Sequence, residues 1–154
     1  MEPRFNLMEN DLGAKIVKRF GATSQLITQS SLGKSTVELV SLRISQLNGC
    51  GWCVDIHTKE AAAAGVTPLR LNLVAAWRET TVFTEAERAA LALAEEGTRL
   101  TDGVSDETWA RVREHFDDDQ VAALVTLVAQ MNSANRMSLI VRMQGGSYEP
   151  GMFA

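Results

Sequence analysis

Cys50 and Cys53 stand three residues apart, and His57 follows four residues after the second thiol. Residues three and four apart share a face of a helix, so this spacing puts two thiols and an imidazole in one row. Gly49 is a helix stop of the kind that favours a left-handed backbone, which places Cys50 at or just before the first turn of a new helix. A thiol there lies near unpaired backbone N–H groups and the positive end of the helix dipole. Such sites favour the thiolate and can bring a cysteine pKa to about 3.5–7.5. His57 is spaced to take the proton of Cys53 as a general base, directly or through a water. Glu38 lies twelve residues before Cys50. If the two helices fold back across Asn48-Gly49, its carboxylate approaches His57, orients the ring and holds its charge. The chemistry that suits this set is reversible thiol–disulfide redox. Two blander readings compete with it: inert buried thiols, and a three-ligand zinc site made of Cys50, Cys53 and His57. His115 is the other histidine and no further cysteine exists to complete a closed metal site.

The elements that must position these residues read as helices. Apolar periodicity predicts a first helix over about 8–29, with Leu12, Ile16, Phe20 and Ile27 near one face. A second follows over 34–48, carrying Val37, Val40, Leu42, Ile44 and Leu47, and a third over 51–64, ending at Gly65. Thr67-Pro68 opens a fourth over 69–78. Thr84 with Glu87 has the pattern of a capping box, so a fifth begins at Glu85 and reaches about Gly97. Ser105-Asp106-Glu107 starts a sixth reaching about Phe116. The acidic run Asp117–Asp119 suits the positive end of a last helix over 118–143. That helix is apolar over more than one stripe, which buries it in the core or at a subunit contact. Nothing alternates as a strand should. The expectation is one all-α domain of six to seven helices: an N-terminal helix and turn over 1–33, a core over 34–143, and a flexible tail over 144–154.

The 154-residue chain has length enough for one domain with its own core, being 45% hydrophobic and 22% charged. A net charge of −4 argues against nucleic acid or an anionic membrane as partner. The Lys15, Lys18 and Arg19 cluster reads as a solvated helix face. The first residues lack the apolar core of a signal peptide, and no apolar run has the length of a membrane span. Both observations predict a cytoplasmic protein. In that reducing setting a close cysteine pair reads as redox or metal chemistry rather than as a structural staple.

Residues 38–61 resemble the core of the AhpD-like alkylhydroperoxidases of the carboxymuconolactone decarboxylase superfamily. The shared pattern is Glu38, then Cys50-Gly51-Trp52-Cys53, then His57. Agreement extends to Ala75-Ala76-Trp77-Arg78-Glu79, to the stretch from Phe83 to Leu91, and to Asn132-Ser133-Ala134-Asn135-Arg136, covering roughly residues 34–142. The resemblance implies an AhpD-like helical bundle assembled as a homotrimer or homohexamer, with peroxidase or disulfide reductase activity at the cysteine pair. Carried over, Cys53 attacks an organic hydroperoxide. Cys50, the more accessible thiol, resolves the sulfenic acid to a disulfide, and Glu38 and His57 form the proton relay. A dithiol such as lipoamide, thioredoxin or a similar protein reduces the disulfide, and no flavin, haem or metal cofactor is required. Where the best-known members place a histidine before the second cysteine, this chain has Trp52; Ala134 stands where an aromatic is common. The superfamily's namesake activity, decarboxylation of a lactone acid, does not rely on a cysteine pair. A non-enzymatic redox-sensing oligomer is a third reading.

Overall fold

The computed structural model describes residues 2–152. Seven α-helices follow a short 3-10 turn at Leu7–Glu9: α1 (Asp11–Gln29), α2 (Lys34–Asn48), α3 (Gly51–Ala63), α4 (Pro68–Leu73), α5 (Glu85–Arg99), α6 (Asp106–His115) and α7 (Asp118–Ile140). A 3-10 stretch, Val74–Glu79, prolongs α4 and is kinked at Ala76. There is no strand among the described residues, so the predicted all-α, single-domain architecture is the observed one.

Helix starts are set by local chemistry that the sequence displays. The Thr84 hydroxyl accepts the Glu87 N–H while the Glu87 carboxylate accepts the Thr84 N–H, the reciprocal box expected for α5. Asp117 and Gln120 do the same for α7, and Thr67 caps α4 with Pro68 in its first turn. α5 runs two residues past Gly97 to Arg99, the fourth element turns from α to 3-10 at Val74, and two boundaries differ from expectation by three residues. α1 begins at Asp11 rather than Met8 because the Asn10 side chain accepts the Gly13 N–H and starts the helix there. α7 ends at Ile140 rather than Met143 because Arg142 adopts a left-handed backbone at φ 59°. The Met143 N–H then closes on the Ser138 carbonyl and the Arg142 N–H on that of Leu139. This is a Schellman closure with arginine where glycine usually marks it, and it turns the chain back across the bundle.

α2 and α5 are the central helices, each dividing its apolar residues between two clusters. Val37, Val40 and Ile44 of α2, with Ala90 and Leu93 of α5, pack against Leu124, Leu127 and Val128 of α7. Leu39, Leu42 and Leu91 face the other way, onto Val74, Trp77 and Phe83. Both cysteines belong to the first cluster. The stripe expected on α1 is buried only at Ile27; Leu12 and Ile16 are exposed, as are Val125, Leu139 and Ile140 of α7. No described helix is long and apolar enough to cross a membrane.

Candidate active site

The turn between α2 and α3 fixes the first thiol. Gly49 takes φ 69°, the Gly49 N–H bonds the Gln46 carbonyl, and the Cys50 N–H bonds the Ser45 carbonyl. Cys50 thereby closes α2 and is also the N-cap of α3, its carbonyl accepting the Val54 N–H. Cys53 lies in the next turn, and the two sulfurs are 2.6 Å apart with both cysteines free. The resemblance implied that Cys50 is the more accessible. In the folded chain both are buried, Cys50 at 1% and Cys53 at 4% exposure, so neither thiol is open to solvent.

The contact between the two sulfurs sets their acidities apart. The Cys50 thiol is lowered to about 7, chiefly by its bond to Cys53, with the N–H groups of Cys53 and Trp52 helping against burial. Cys53 is pushed far up, chiefly by its bond to Cys50, then by burial and the adjacent negative charge. The pair thus loses one proton readily and holds the other. The lowered thiol is the one at the helix N-cap, the position that the dipole argument favours. Ultraviolet thiolate absorbance of the reduced protein should therefore rise by one equivalent with a midpoint near pH 7, with no second equivalent at the ordinary cysteine value of 9.0. Two equivalents titrating together at 9.0 would contradict this separation.

Glu38 and His57 meet across α2 and α3: the carboxylate Oε2 lies 2.8 Å from the imidazole Nδ1, and the two side chains are 8% and 17% exposed. A carboxylate on one ring nitrogen fixes the ring's orientation and leaves the other nitrogen for proton exchange. The direct His57–Cys53 bond allowed for above is not formed. The imidazole bonds Glu38, and Cys53 contacts Cys50 and, at 3.8 Å, the Ser138 hydroxyl. Among the described residues, no three His, Cys, Asp or Glu side chains are grouped to hold a metal, so Cys50, Cys53 and His57 do not converge as the zinc reading requires.

α7 forms the polar wall behind the thiols. Asn132, Asn135 and Ser138 recur every three residues and are all buried. The Asn48 amide donates to Asn132 Oδ1 at 3.0 Å and to Asn135 Oδ1 at 2.9 Å, while Asn135 donates to the Ser45 hydroxyl at 3.2 Å. This chain of bonds clamps the end of α2 to α7 just before the turn that sets Cys50. Asn135 and Ser138 also favour a thiolate on Cys53, opposing the larger effect of Cys50. Sequence reasoning singled out the Asn132–Arg136 stretch only as part of a resemblance, and it missed Ser138. Their signal was polar residues at helical spacing on the otherwise apolar face of a long helix.

The stretch expected to be a flexible tail, 144–154, is held against α3 in its described part. Asp55 accepts the N–H groups of Gly146 at 2.7 Å and Tyr148 at 3.0 Å, and Lys59 donates to the Tyr148 carbonyl. Lys59, then these two N–H groups, holds the Asp55 carboxyl down at about 2. Tyr148 is buried, donates to Glu60 at 2.6 Å and meets the Trp52 ring edge-on. Its hydroxyl is raised to about 12 by burial and by Glu60. Glycine-rich composition predicted freedom, but Asp55 Oδ2 accepts both backbone N–H groups while Oδ1 pairs with Lys59.

Among known proteins, the model of the carboxymuconolactone decarboxylase family matches residues 14–96, more than half of the chain, with Glu38, Cys50, Cys53 and His57 all inside the match. The chain belongs to the carboxymuconolactone decarboxylase family. Within this family it is 43% identical over 112 residues to the uncharacterized protein YdfG of Bacillus subtilis strain 168, covering 72% of this chain and 76% of the relative. It is 37% identical over 75 residues to the alkyl hydroperoxide reductase AhpD of Rhodopseudomonas palustris strain BisB18, a match that spans 46% of this chain and 41% of that one. A solved structure from Agrobacterium tumefaciens, of unknown function with a proposed AhpD role in antioxidant defence, superimposes with a TM-score of 0.88. It is 29% identical, over 96% of this chain and 100% of the other. The AhpD-like fold expected from the sequence is thus the fold observed.

Proposed function

We propose that the chain is a thiol-dependent peroxidase and disulfide reductase of the alkylhydroperoxidase type. The observation that supports this reading is the buried sulfur pair, 2.6 Å apart at the start of α3, with the Glu38–His57 pair formed between α2 and α3. The reactive thiolate forms on Cys53 when the remaining proton crosses to Cys50, a move of the length of one hydrogen bond. Cys53 attacks the hydroperoxide: an S–O bond forms, the O–O bond breaks, and sulfur is oxidised by two electrons to a sulfenic acid. The leaving alkoxide takes the proton that the thiol pair gave up, relayed by the His57 imidazole that Glu38 orients, and departs as an alcohol. Cys50 then attacks the sulfenic sulfur. An S–S bond forms as the S–O bond breaks, and the hydroxide leaves as water with the remaining proton. A dithiol such as lipoamide or thioredoxin returns two electrons and two protons by exchange through a mixed disulfide, becoming a disulfide itself.

The exposed apolar residues Leu12, Ile16, Leu26 and Ile140 support self-association, as a homotrimer or homohexamer. A thiol pair restored by dithiols also fits a reducing compartment such as the cytoplasm. The test is a stopped-flow reaction of the reduced protein with one equivalent of cumene hydroperoxide. Both thiols should be consumed within seconds and recovered on adding dihydrolipoamide. Thiols that survive the peroxide would sink the proposal.

A further inference from the structure

We propose that residues 144–149 form a strap over the thiol pair, and that Asp55, Gly145 and Tyr148, by holding it down, determine how bulky a reactant can reach Cys50 and Cys53. This rests on the two cysteines being the reacting groups, as proposed above. A cysteine at a helix N-cap ordinarily opens to solvent on the side away from the helix. Here Cys50 is 1% exposed, although Gly51 next to it stays exposed.

The covering segment leaves the left-handed turn at Arg142 and passes directly over the motif. Gly145 lies so close to the Gly51–Trp52 peptide that a Cβ there would meet the Gly51 carbonyl oxygen. That peptide lies between the two cysteines. Past it, Asp55 on the same face of α3 receives the Gly146 and Tyr148 N–H groups. Lys59 ties the two sides of the contact, pairing with Asp55 at 2.9 Å and donating to the Tyr148 carbonyl. Tyr148 reaches Glu60, which also pairs with Lys34 of α2, and its ring stands at 88° to that of Trp52. The strap is therefore pinned on both sides of the peptide it crosses. Its attachment is nonetheless local: polar bonds, one ring contact and a glycine fit. Segments held this way open without the core unfolding.

A slender reacting end, such as an unbranched hydroperoxide or an extended dithiol, needs less of the strap to lift than a branched or ring-bearing reactant. The same applies to the surface of a folded reductant.

The test uses the reduced, full-length protein and measures alkylation of Cys50 and Cys53 by mass spectrometry with two reagents, iodoacetamide and fluorescein maleimide. Releasing one charge-assisted anchor should raise the rate with the bulky maleimide about tenfold, equivalent to about 1.4 kcal/mol of opening, and the rate with iodoacetamide by less than about twofold. Asp55→Ala removes the acceptor of both N–H groups, and Gly145→Ala removes the close fit without touching charge. Should Asp55→Ala lose its helical circular dichroism, Tyr148→Phe, which deletes one hydroxyl, replaces it. An unchanged ratio of the two rates in folded variants overturns the strap. Alkylation requires no peroxide, so the two proposals fail separately. A size effect in a protein that leaves cumene hydroperoxide intact keeps the strap and removes the peroxidase; normal turnover with an unchanged ratio does the reverse.

Discussion

Cys53→Ser is expected to reduce hydroperoxide turnover to the uncatalysed rate, whereas Cys50→Ser completes one round and stops as a sulfenic acid on Cys53. The two substitutions differ by one oxygen in place of one sulfur, at positions three residues apart, yet they remove different steps. Without Cys53 there is no sulfur beside Ser138 and Asn135, the donors that stabilise a thiolate at that position. Without Cys50 the attacking sulfur survives, and the largest influence holding its proton is gone, since the bond to Cys50 is what chiefly raises Cys53. The Cys50→Ser protein should therefore react with its first equivalent of peroxide and have no thiol with which to resolve the product. Trapping with dimedone followed by mass spectrometry reads the result directly. An adduct in Cys53→Ser and none in Cys50→Ser would exchange the roles, giving attack to the more acidic thiol.

The second large effect lies away from the thiols. Glu95 of α5 is a buried carboxylate that accepts from Arg43 at 2.7 Å, from the Trp77 indole at 3.0 Å and from Arg78 at 2.9 Å. It joins α2, α5 and the 3-10 stretch at the second core cluster, with Arg78 also lying over the Trp77 ring at 4.2 Å. Glu95→Ala leaves the Arg43 guanidinium and the indole N–H without their acceptor. Breaking a buried pair in this way costs about 3–5 kcal/mol, a large part of the 5–15 kcal/mol that typically holds a domain together. The melting temperature should fall by about 10 °C; a shift within about 2 °C would show that the network contributes little. Burial pushes the Glu95 carboxyl up, but Arg43, Trp77 and Arg78 more than reverse this, leaving it below its ordinary value of 4.5. A depressed carboxylate stabilises the fold above its unfolded pKa, and that contribution is lost as pH falls through the folded value. The wild-type protein should thus lose this part of its stability only below pH 4.5.

Much of this was legible because helices announce their ends. Thr84 with Glu87, Thr67 with Pro68, and Gly49 each place a boundary through a side chain or backbone freedom that the sequence displays. The failure at the end of α7 has the complementary cause: Arg142 occupies a left-handed position that glycine would have advertised. The four candidate residues were legible from spacing, and Glu38 and His57 meet as a folded-back helix pair requires. What spacing does not carry is the order of acidity between two thiols, which depends on their mutual contact. It also does not carry burial. Cys50 reads as an open N-cap, yet it is 1% exposed in the folded chain. The α1 stripe is the same problem reversed, since periodicity marks Leu12 and Ile16 as an apolar face but not what covers it.

On the proposed disulfide chemistry, the lowering of one thiol has an electrochemical consequence. Reducing the disulfide takes up two electrons and, below pH 7, two protons; above pH 7 it takes up only one, because Cys50 remains a thiolate. The midpoint potential then falls by about 59 mV per pH unit on the acid side and by only about 30 mV on the alkaline side. A dithiol whose thiols keep the ordinary value of 9.0 continues on the steeper slope until that pH. Between the two values its driving force for reducing this protein grows by about 30 mV with each pH unit. Under the proposed chemistry, alkalinity thus favours the dithiol form of the pair without any change in the supply of reductant.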